Sequence, residues 1–252
     1  MFVEGQMRIL VLNGASSGTG AAFALLNGDA AGLAPAGGLA VVAETLVAGQ
    51  GGSERLPVLL AEQLRVLGWR AASLTLIAVV VGPGSFTGLR ATLALAHGLA
   101  LGGSAAVVGV TVGETLAPAL HAAAATIGDL SEIWCVSQAR RDRVFIEQPP
   151  GHPSGWSVQA AMLDALPLPA GPVLLGGDAA DAVAARLHQL GVAVHPSGLA
   201  GPTPLAVAAA ALARQAETLP PRDAQPLYVD PPEAKLPAPK PPVPHQERQA
   251  AG

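Results

Sequence analysis

The sequence is short of the residues that most often announce a chemistry. Among 252 residues there is one cysteine, Cys135. A single thiol excludes an intramolecular disulfide and a cysteine zinc site. Flanked by Trp134 and Val136, it reads as a small apolar core residue of a strand. The six histidines are His97, His121, His152, His188, His195 and His245. No two lie four residues apart, so none pair on one helix face to grip an ion. His188 and His195 are separated by Gly191, which divides a helix from a strand. Aromatic residues make up only 3%, so the core must be built from Ala, Leu and Val. Charged residues make up 13%, and the net charge is -4. With no basic excess, the chain lacks the electrostatic footprint of a main nucleic-acid reader. The start, MFVEGQMRIL, lacks the basic opening and long apolar stretch of a secretory signal. The longest uncharged run, Ala91 to Gly113, is broken by Gly102-Gly103-Ser104 and holds His97. It reads as buried helix, turn and buried strand rather than a membrane span. A soluble, cytoplasmic protein is expected.

What is present is an α/β pattern. Apolar runs at Arg8–Leu12, Ala21–Leu26 and Leu39–Thr45, joined by Gly-rich turns, predict a meander of three strands. A helix follows from Ser53 to about Gly68, with Ser53 as N-cap and Pro57 in its first turn. Its Leu56, Leu59, Leu60, Leu64 and Leu67 recur at steps of three and four, forming one apolar face. Leu74–Val81, a continuous Val/Ile-rich run, predicts a strand buried on both faces. A helix from about Thr87 to Leu101 and a strand at Ala105–Val110 come next. The second half predicts strands at Glu132–Ser137, Arg143–Glu147 and Val173–Leu175. Its helices are read at Val112–Thr126, Asp178–Leu190 and Pro204–Glu217. From Pro220 the density of proline excludes helix and ordinary sheet. An extended tail is expected, disordered beyond Lys235. Residues 1–111, 112–219 and 220–252 thus read as two subdomains and a tail.

The stretch "ILVLNGASSGTGAAFALL", Ile9 to Leu26, imitates a dinucleotide-binding turn through Gly14, Gly18 and Gly20. That chemistry needs a helix directly after the glycines, its N-terminus aimed at pyrophosphate. Ala21–Leu26 is too short for one before the turn Asn27-Gly28-Asp29. Three consecutive strands are also not the alternating order of a doubly wound fold. A tyrosine–lysine pair four residues apart is missing as well, since Tyr228 is the sole tyrosine and position 232 is Pro232.

The informative segment is "VVGPGSFTGLRATLALAHGLAL", Val80 to Leu101. A buried strand stops at Gly82, Gly84 lets the chain bend, and Pro83 stiffens the bend. Ser85 or Thr87 caps the following helix. Arg90 sits near the helix start, where a cation opposes the dipole. It is therefore expected to be held by a carboxylate or by a partner. Gly82 and Gly88 are six apart with Leu89-Arg90 after them, so this is no Walker loop.

"GPGSFTGLR" resembles the signature of the TsaB family, small partner subunits in bacterial synthesis of threonylcarbamoyladenosine on tRNA. "SERL" (Ser53–Leu56), "VSQARRDRVFIE" (Val136–Glu147) and "PLYVDPPEAK" (Pro226–Lys235) resemble three further family landmarks, in the right order. The resemblance spans roughly Met7 to Lys235. It implies an actin-like, Hsp70-like and sugar-kinase-like (ASKHA) α/β fold with two related subdomains.

It also implies a non-catalytic role without cofactor or metal. The chain would pair with a TsaD-like catalytic paralogue and a TsaE-like ATPase, meet tRNA only through the complex, and be able to pair with itself when alone. Pairing in the family uses the two helices of the first subdomain. That places Ser53, Glu54, Arg55, Leu56, Leu60, Phe86, Arg90, Leu93, Ala94 and His97 at the interface. Gly82, Pro83, Gly84, Ser85, Thr87 and Gly88 form the structural signature loop.

Where the family usually has Asp-Thr-Ser, this chain has Asn13-Gly14-Ala15-Ser16. An amide cannot supply the carboxylate that organises a metal–nucleotide complex. Asn13, Gly14 and Ser16 thus read as a degenerate nucleotide loop. Gly52 stands where the family often has His. The competing reading is an ATP-binding kinase or ATPase of the same fold, to which Asp178 after Gly176-Gly177 would contribute. Its structural alternative is a helix N-cap. Arg140, Arg141 and Arg143 form the only basic cluster and read as a solvated hairpin or as a minor tRNA contact in the assembled complex.

Overall fold

A computed structural model describes residues 6–16, 20–29, 38–49, 51–140, 142–149 and 156–229. Among them the order is β1 (Gln6–Asn13), β2 (Ala21–Asp29), β3 (Ala40–Val47), α1 (Gly52–Val66), β4 (Leu76–Gly82), α2 (Phe86–Leu101), β5 (Ala106–Thr111) and α3 (Val112–Ala124). It continues with β6 (Glu132–Gln138), β7 (Arg143–Gln148), β8 (Ser157–Met162), β9 (Val173–Gly176), α4 (Ala180–Gln189), β10 (Val194–Pro196) and α5 (Pro204–Gln215).

Two five-stranded sheets form, ordered β3-β2-β1-β4-β5 and β10-β9-β6-β7-β8. Read from each sheet's first strand, the two orders are the same. In both, three antiparallel strands lead, and two later strands are added parallel on the other side. This repeat is the two-subdomain α/β fold that the family resemblance implies.

Alternation along the strands divides the interior. Leu10, Leu12, Phe23, Leu25, Ile77 and Val79 point to one face of the first sheet, where they meet Leu56, Leu60 and Leu64 of α1 and Leu93 and Ala96 of α2. Ile9, Val11, Leu26, Ala78 and Val80 point to the other face. There they meet Val207, Ala208 and Ala211 of α5, and the cluster runs on through Leu116 and Leu120 of α3 to Ile133, Cys135 and Leu174 of the second sheet. Trp134, Val136, Val144, Ile146 and Leu175 pack against Val183 and Leu187 of α4 on the far face. Each fully buried Leu or Ile contributes about 1.5–3 kcal/mol. The helix α5, though late in sequence, therefore covers the first sheet.

The expected elements form, with boundaries shifted by a few residues. Two strands went unread, β8 and the three-residue β10. The cap of α1 is Gly51 in the left-handed region, not Ser53, and no side chain caps it. With the helix beginning at Gly52, Pro57 lies in its second turn, on the solvent side. Cys135 is buried on β6, as its flanks suggested. Burial pushes its thiol well up, with the charges of Glu147 and Asp178 adding, so it stays protonated. The chain from Pro220 to Val229 is extended and packed; the rest of the proline-rich tail lies outside the described residues. No described helix is long and apolar enough to cross a membrane.

Candidate functional site

The signature loop joins the end of β4 to α2 and seals the β1–β2 turn. The Ser85 hydroxyl accepts from the Gly88 N–H, which caps α2. The Ser85 N–H donates to the Ala15 carbonyl at 2.7 Å. A Cβ at Gly84 would drive into that same carbonyl. Gly14 and Gly88 face each other so closely that a Cβ on either would strike the other's carbonyl. These glycines are required because two backbones approach with no room for a side chain. Gly82, at φ 127, packs beside Leu227. The Asn13 side chain is turned onto its own loop, its Oδ1 accepting from the Ala15 N–H at 3.0 Å.

Helices α1 and α2 lie side by side on the first sheet. Leu56, Leu60 and Leu93, expected on a contact surface, point inward instead; Leu93 is only 4% exposed. The apolar stripe that suggested an interface is the stripe that builds the core. The outward face of α1 carries Glu54, Arg55, Val58, Glu62, Arg65 and Val66, with Val58 72% exposed. Ser53 is half-buried. The outward face of α2 carries Phe86, Thr87, Arg90, Ala94, His97, Gly98 and Leu101. A Cβ at Gly98 would meet only open space, so another helix can come close there.

The extended segment after α5 returns as a strap along α2. Its Leu227 N–H donates to the Val81 carbonyl at 2.8 Å. The His97 imidazole Nε2 is hydrogen-bonded to the Ala224 carbonyl at 2.8 Å. Ala224 and Leu227 pack onto the core beneath. Arg90 was expected to need a carboxylate or a partner. Within the chain it is held by rings: its Nε donates to the Tyr228 hydroxyl at 2.9 Å, and its guanidinium lies 4.1 Å from the Phe86 ring centroid and 5.8 Å from that of Tyr228. The rings themselves are tilted, with centroids 5.7 Å apart.

Between the two sheets the turns come together. Asp178 is not the cap of α4; the cap position is Ala179, which caps with no side chain. The Asp178 carboxylate instead reaches outward, Oδ1 accepting from the Gln138 N–H at 2.7 Å and Oδ2 from the Ser16 hydroxyl at 3.3 Å. It ties the β6–β7 turn of one sheet to the β1–β2 turn of the other. Arg140 is exposed and Arg143 half-buried beside that turn, while Arg141 lies outside the described residues.

Sequence reasoning missed a buried polar junction where β5 enters α3. Thr111 and Glu114 form a capping box, a T-x-x-E pattern legible in the sequence. Glu114 also pairs with Arg214 of α5 at 2.5 Å and with Arg222 of the strap at 3.2 Å. Arg214 donates to the Gly109 carbonyl and, at 2.8 Å, to that of Pro220. Glu147, fully buried on β7, accepts from the Thr111 hydroxyl, from the Gly113 N–H at 2.7 Å and from the Trp156 indole at 2.9 Å. Burial pushes its carboxyl up to about 7; those three hydrogen bonds oppose the rise, and the nearby charge of Glu114 adds to it. Arg222 lies 4.5 Å over the Trp156 ring. The cluster joins both sheets, α5 and the strap, and it serves assembly of the fold rather than an open site.

The comparisons fit this geometry. The family model of TsaD, tRNA N6-adenosine threonylcarbamoyltransferase, matches residues 46–148, which include both outward helices and the signature loop. A crystal structure titled an uncharacterized protein with similarity to peptidase YEAZ, from Pseudomonas aeruginosa, aligns at 19% identity over 89% of this chain and 100% of that one, with a TM-score of 0.62. YeaZ from Pseudomonas aeruginosa aligns at 19% identity over 88% and 99%, with a TM-score of 0.60. At that identity the likeness establishes the fold. A search of the curated proteins found no match. Together the family match and the shared fold support the TsaB-type resemblance drawn from the sequence.

Proposed function

We propose that this chain is a non-catalytic, cytoplasmic partner subunit of a TsaD-type threonylcarbamoyltransferase, acting in the modification of tRNA. The observation that carries the reading is the pair of outward helix faces on the first sheet, Glu54 to Val66 on α1 and Phe86 to Leu101 on α2. They lie inside the segment that the TsaD family model matches. A mixed face with small residues at Ala94 and Gly98 suits helix-on-helix pairing. The net charge of -4 leaves tRNA to be read by another subunit.

The degenerate loop supports a supporting role rather than nucleotide chemistry. Asn13 is committed to its own turn, and the Asp178 carboxylate bridges from Gln138 to Ser16. A phosphate brought there would meet a like charge.

Size-exclusion chromatography with light scattering tests the reading, on the chain alone and mixed with the TsaD-type subunit of the same organism. A stoichiometric complex, lost in folded Ala94→Glu and Val58→Glu variants, is the expected result. No complex at tens of micromolar, together with micromolar ATP binding by the chain alone, would replace this reading with that of an independent ATP-binding enzyme.

A further inference from the structure

We propose that Arg90, laid on the Phe86 ring at the start of α2 and hydrogen-bonded by Tyr228 of the C-terminal strap, receives a carboxylate from the partner subunit, so that the strap is itself part of the pairing surface. The inference rests on the partner-subunit reading above.

The chain has only four Phe, three Trp and one Tyr. In so aromatic-poor a sequence, two of these rings stand at one exposed patch: Phe86 is 50% exposed and Tyr228 52%. Exposed rings beside an arginine have the composition of an interface anchor. The Phe86 ring and the Tyr228 hydroxyl restrain the guanidinium, so less side-chain freedom remains to be lost when a ligand binds. The Tyr228 hydroxyl engages only Nε. No carboxylate of the described residues pairs with Arg90, and the two terminal amino groups remain as a fork suited to bidentate capture of a carboxylate.

The local field points the same way. Arg90 lies near the N-terminus of α2, whose first turn carries no acidic residue. The helix dipole and the guanidinium therefore add as positive potential at one exposed spot. An acidic side chain of a protein partner complements it. An RNA phosphate fits less well, because a single arginine on an acidic chain gives too small a footprint.

The strap is built to hold this arrangement. It is pinned by Leu227 to the end of β4, by Ala224 to His97, and by Arg222 to the buried Glu114. The patch thus joins residues 138 positions apart in sequence, presented on the same outward face of α2 as Ala94 and Gly98.

Isothermal titration of the full chain with the TsaD-type subunit tests the proposal. Arg90→Glu should weaken binding about thirtyfold or more, and Tyr228→Ala about tenfold. Arg90→Lys should not restore wild-type affinity, because an ammonium cannot present the stacked fork. Raising salt should weaken the wild-type complex, and that dependence should flatten in Arg90→Gln. Arg90→Gln and Tyr228→Phe, the least disruptive changes, keep the test open should Arg90→Glu fail to fold. If Arg90→Gln, Arg90→Glu and Tyr228→Ala all bind like wild type while Ala94→Glu does not bind, this inference falls and the partner reading stands. If the wild-type chain forms no complex, both fall. Binding of tRNA by the chain alone, lost in Arg90→Gln, would overturn the carboxylate in favour of phosphate.

Discussion

The two sheets share one strand order but are dressed differently. Between its third and fourth strands the first sheet carries the fifteen-residue α1, packed beside α2 to present a broad outer face. At the same place, between β8 and β9, the second sheet carries a three-residue 3-10 turn, Leu163–Ala165. Of the two frameworks with one strand order, only the first carries a long helix at this connection. The second half contributes instead to closure: β7 brings Glu147 into the junction, and Asp178 crosses to the first half's turn.

The difference can be broken most forcefully at the junction. Glu114→Ala leaves the buried Arg214 guanidinium without its carboxylate and releases Arg222 of the strap. A buried pair that loses one partner costs about 3–5 kcal/mol. Urea unfolding should show a loss of that size. A loss below about 1 kcal/mol would mean that the two halves are not held together here.

Next in size is a pH effect that belongs to the second half. Folded Glu147 binds its proton up to about pH 7, against a reference value of 4.5. Between those values the folded state carries more protons than the unfolded one, so stability falls as pH rises through the window and levels off above it. A rise of that size corresponds to about 3 kcal/mol. Glu147→Gln removes the titration, so the stability of the variant relative to wild type should climb by up to about 3 kcal/mol from pH 4.5 to 8. Parallel pH profiles for the two proteins would exclude Glu147 as the source.

The first half can be probed with two glycines on one helix. Gly88→Ala forces a Cβ into the Gly14 carbonyl and should cost about 2 kcal/mol. Gly98→Ala meets open space and should stabilise α2 by up to about 1 kcal/mol. Thermal unfolding of both variants separates the sealed end of the helix from its open face. Equal shifts in the same direction would deny that distinction.

These probes also show which parts of the molecule were legible in the sequence. Leu74–Val81 announced β4 because a strand buried on both faces needs no polar residue. The leucine spacing announced α1, but spacing cannot say whether an apolar stripe faces the chain's own sheet or another protein. Spacing alone leaves Leu56, Leu60 and Leu93 open to either side, and their burial puts them on the chain's own sheet. β8, "SVQAAM", has one strong β former, Val158, and is held by its pairing with β7, a non-local cause. Tyr228 stands out in the sequence as the sole tyrosine and as part of the PLYVDPPEAK stretch, and neither pattern points to Arg90. Its meeting with Arg90 depends on how the strap folds back, which local pattern does not encode.

The smallest effect concerns Asp178, the one carboxylate that was read as a cap and proved to be a tie. Its two acceptor oxygens serve a backbone N–H of the second half and a hydroxyl of the first, both in an exposed setting. Solvent competes for such bonds, so Asp178→Ala should cost only about 1 kcal/mol. Asp178→Asn keeps an acceptor for the shorter bond to Gln138 and should cost less than the alanine change. The pair of variants also separates charge from geometry at the mouth between the turns. If the carboxylate helps to repel phosphates there, calorimetry should detect no micromolar ATP binding by wild type, and any weak affinity should appear in the Asn variant first. Micromolar binding by wild type would mean that the first turn, despite Asn13, still holds a nucleotide, and that the two halves differ less in chemistry than in their helices.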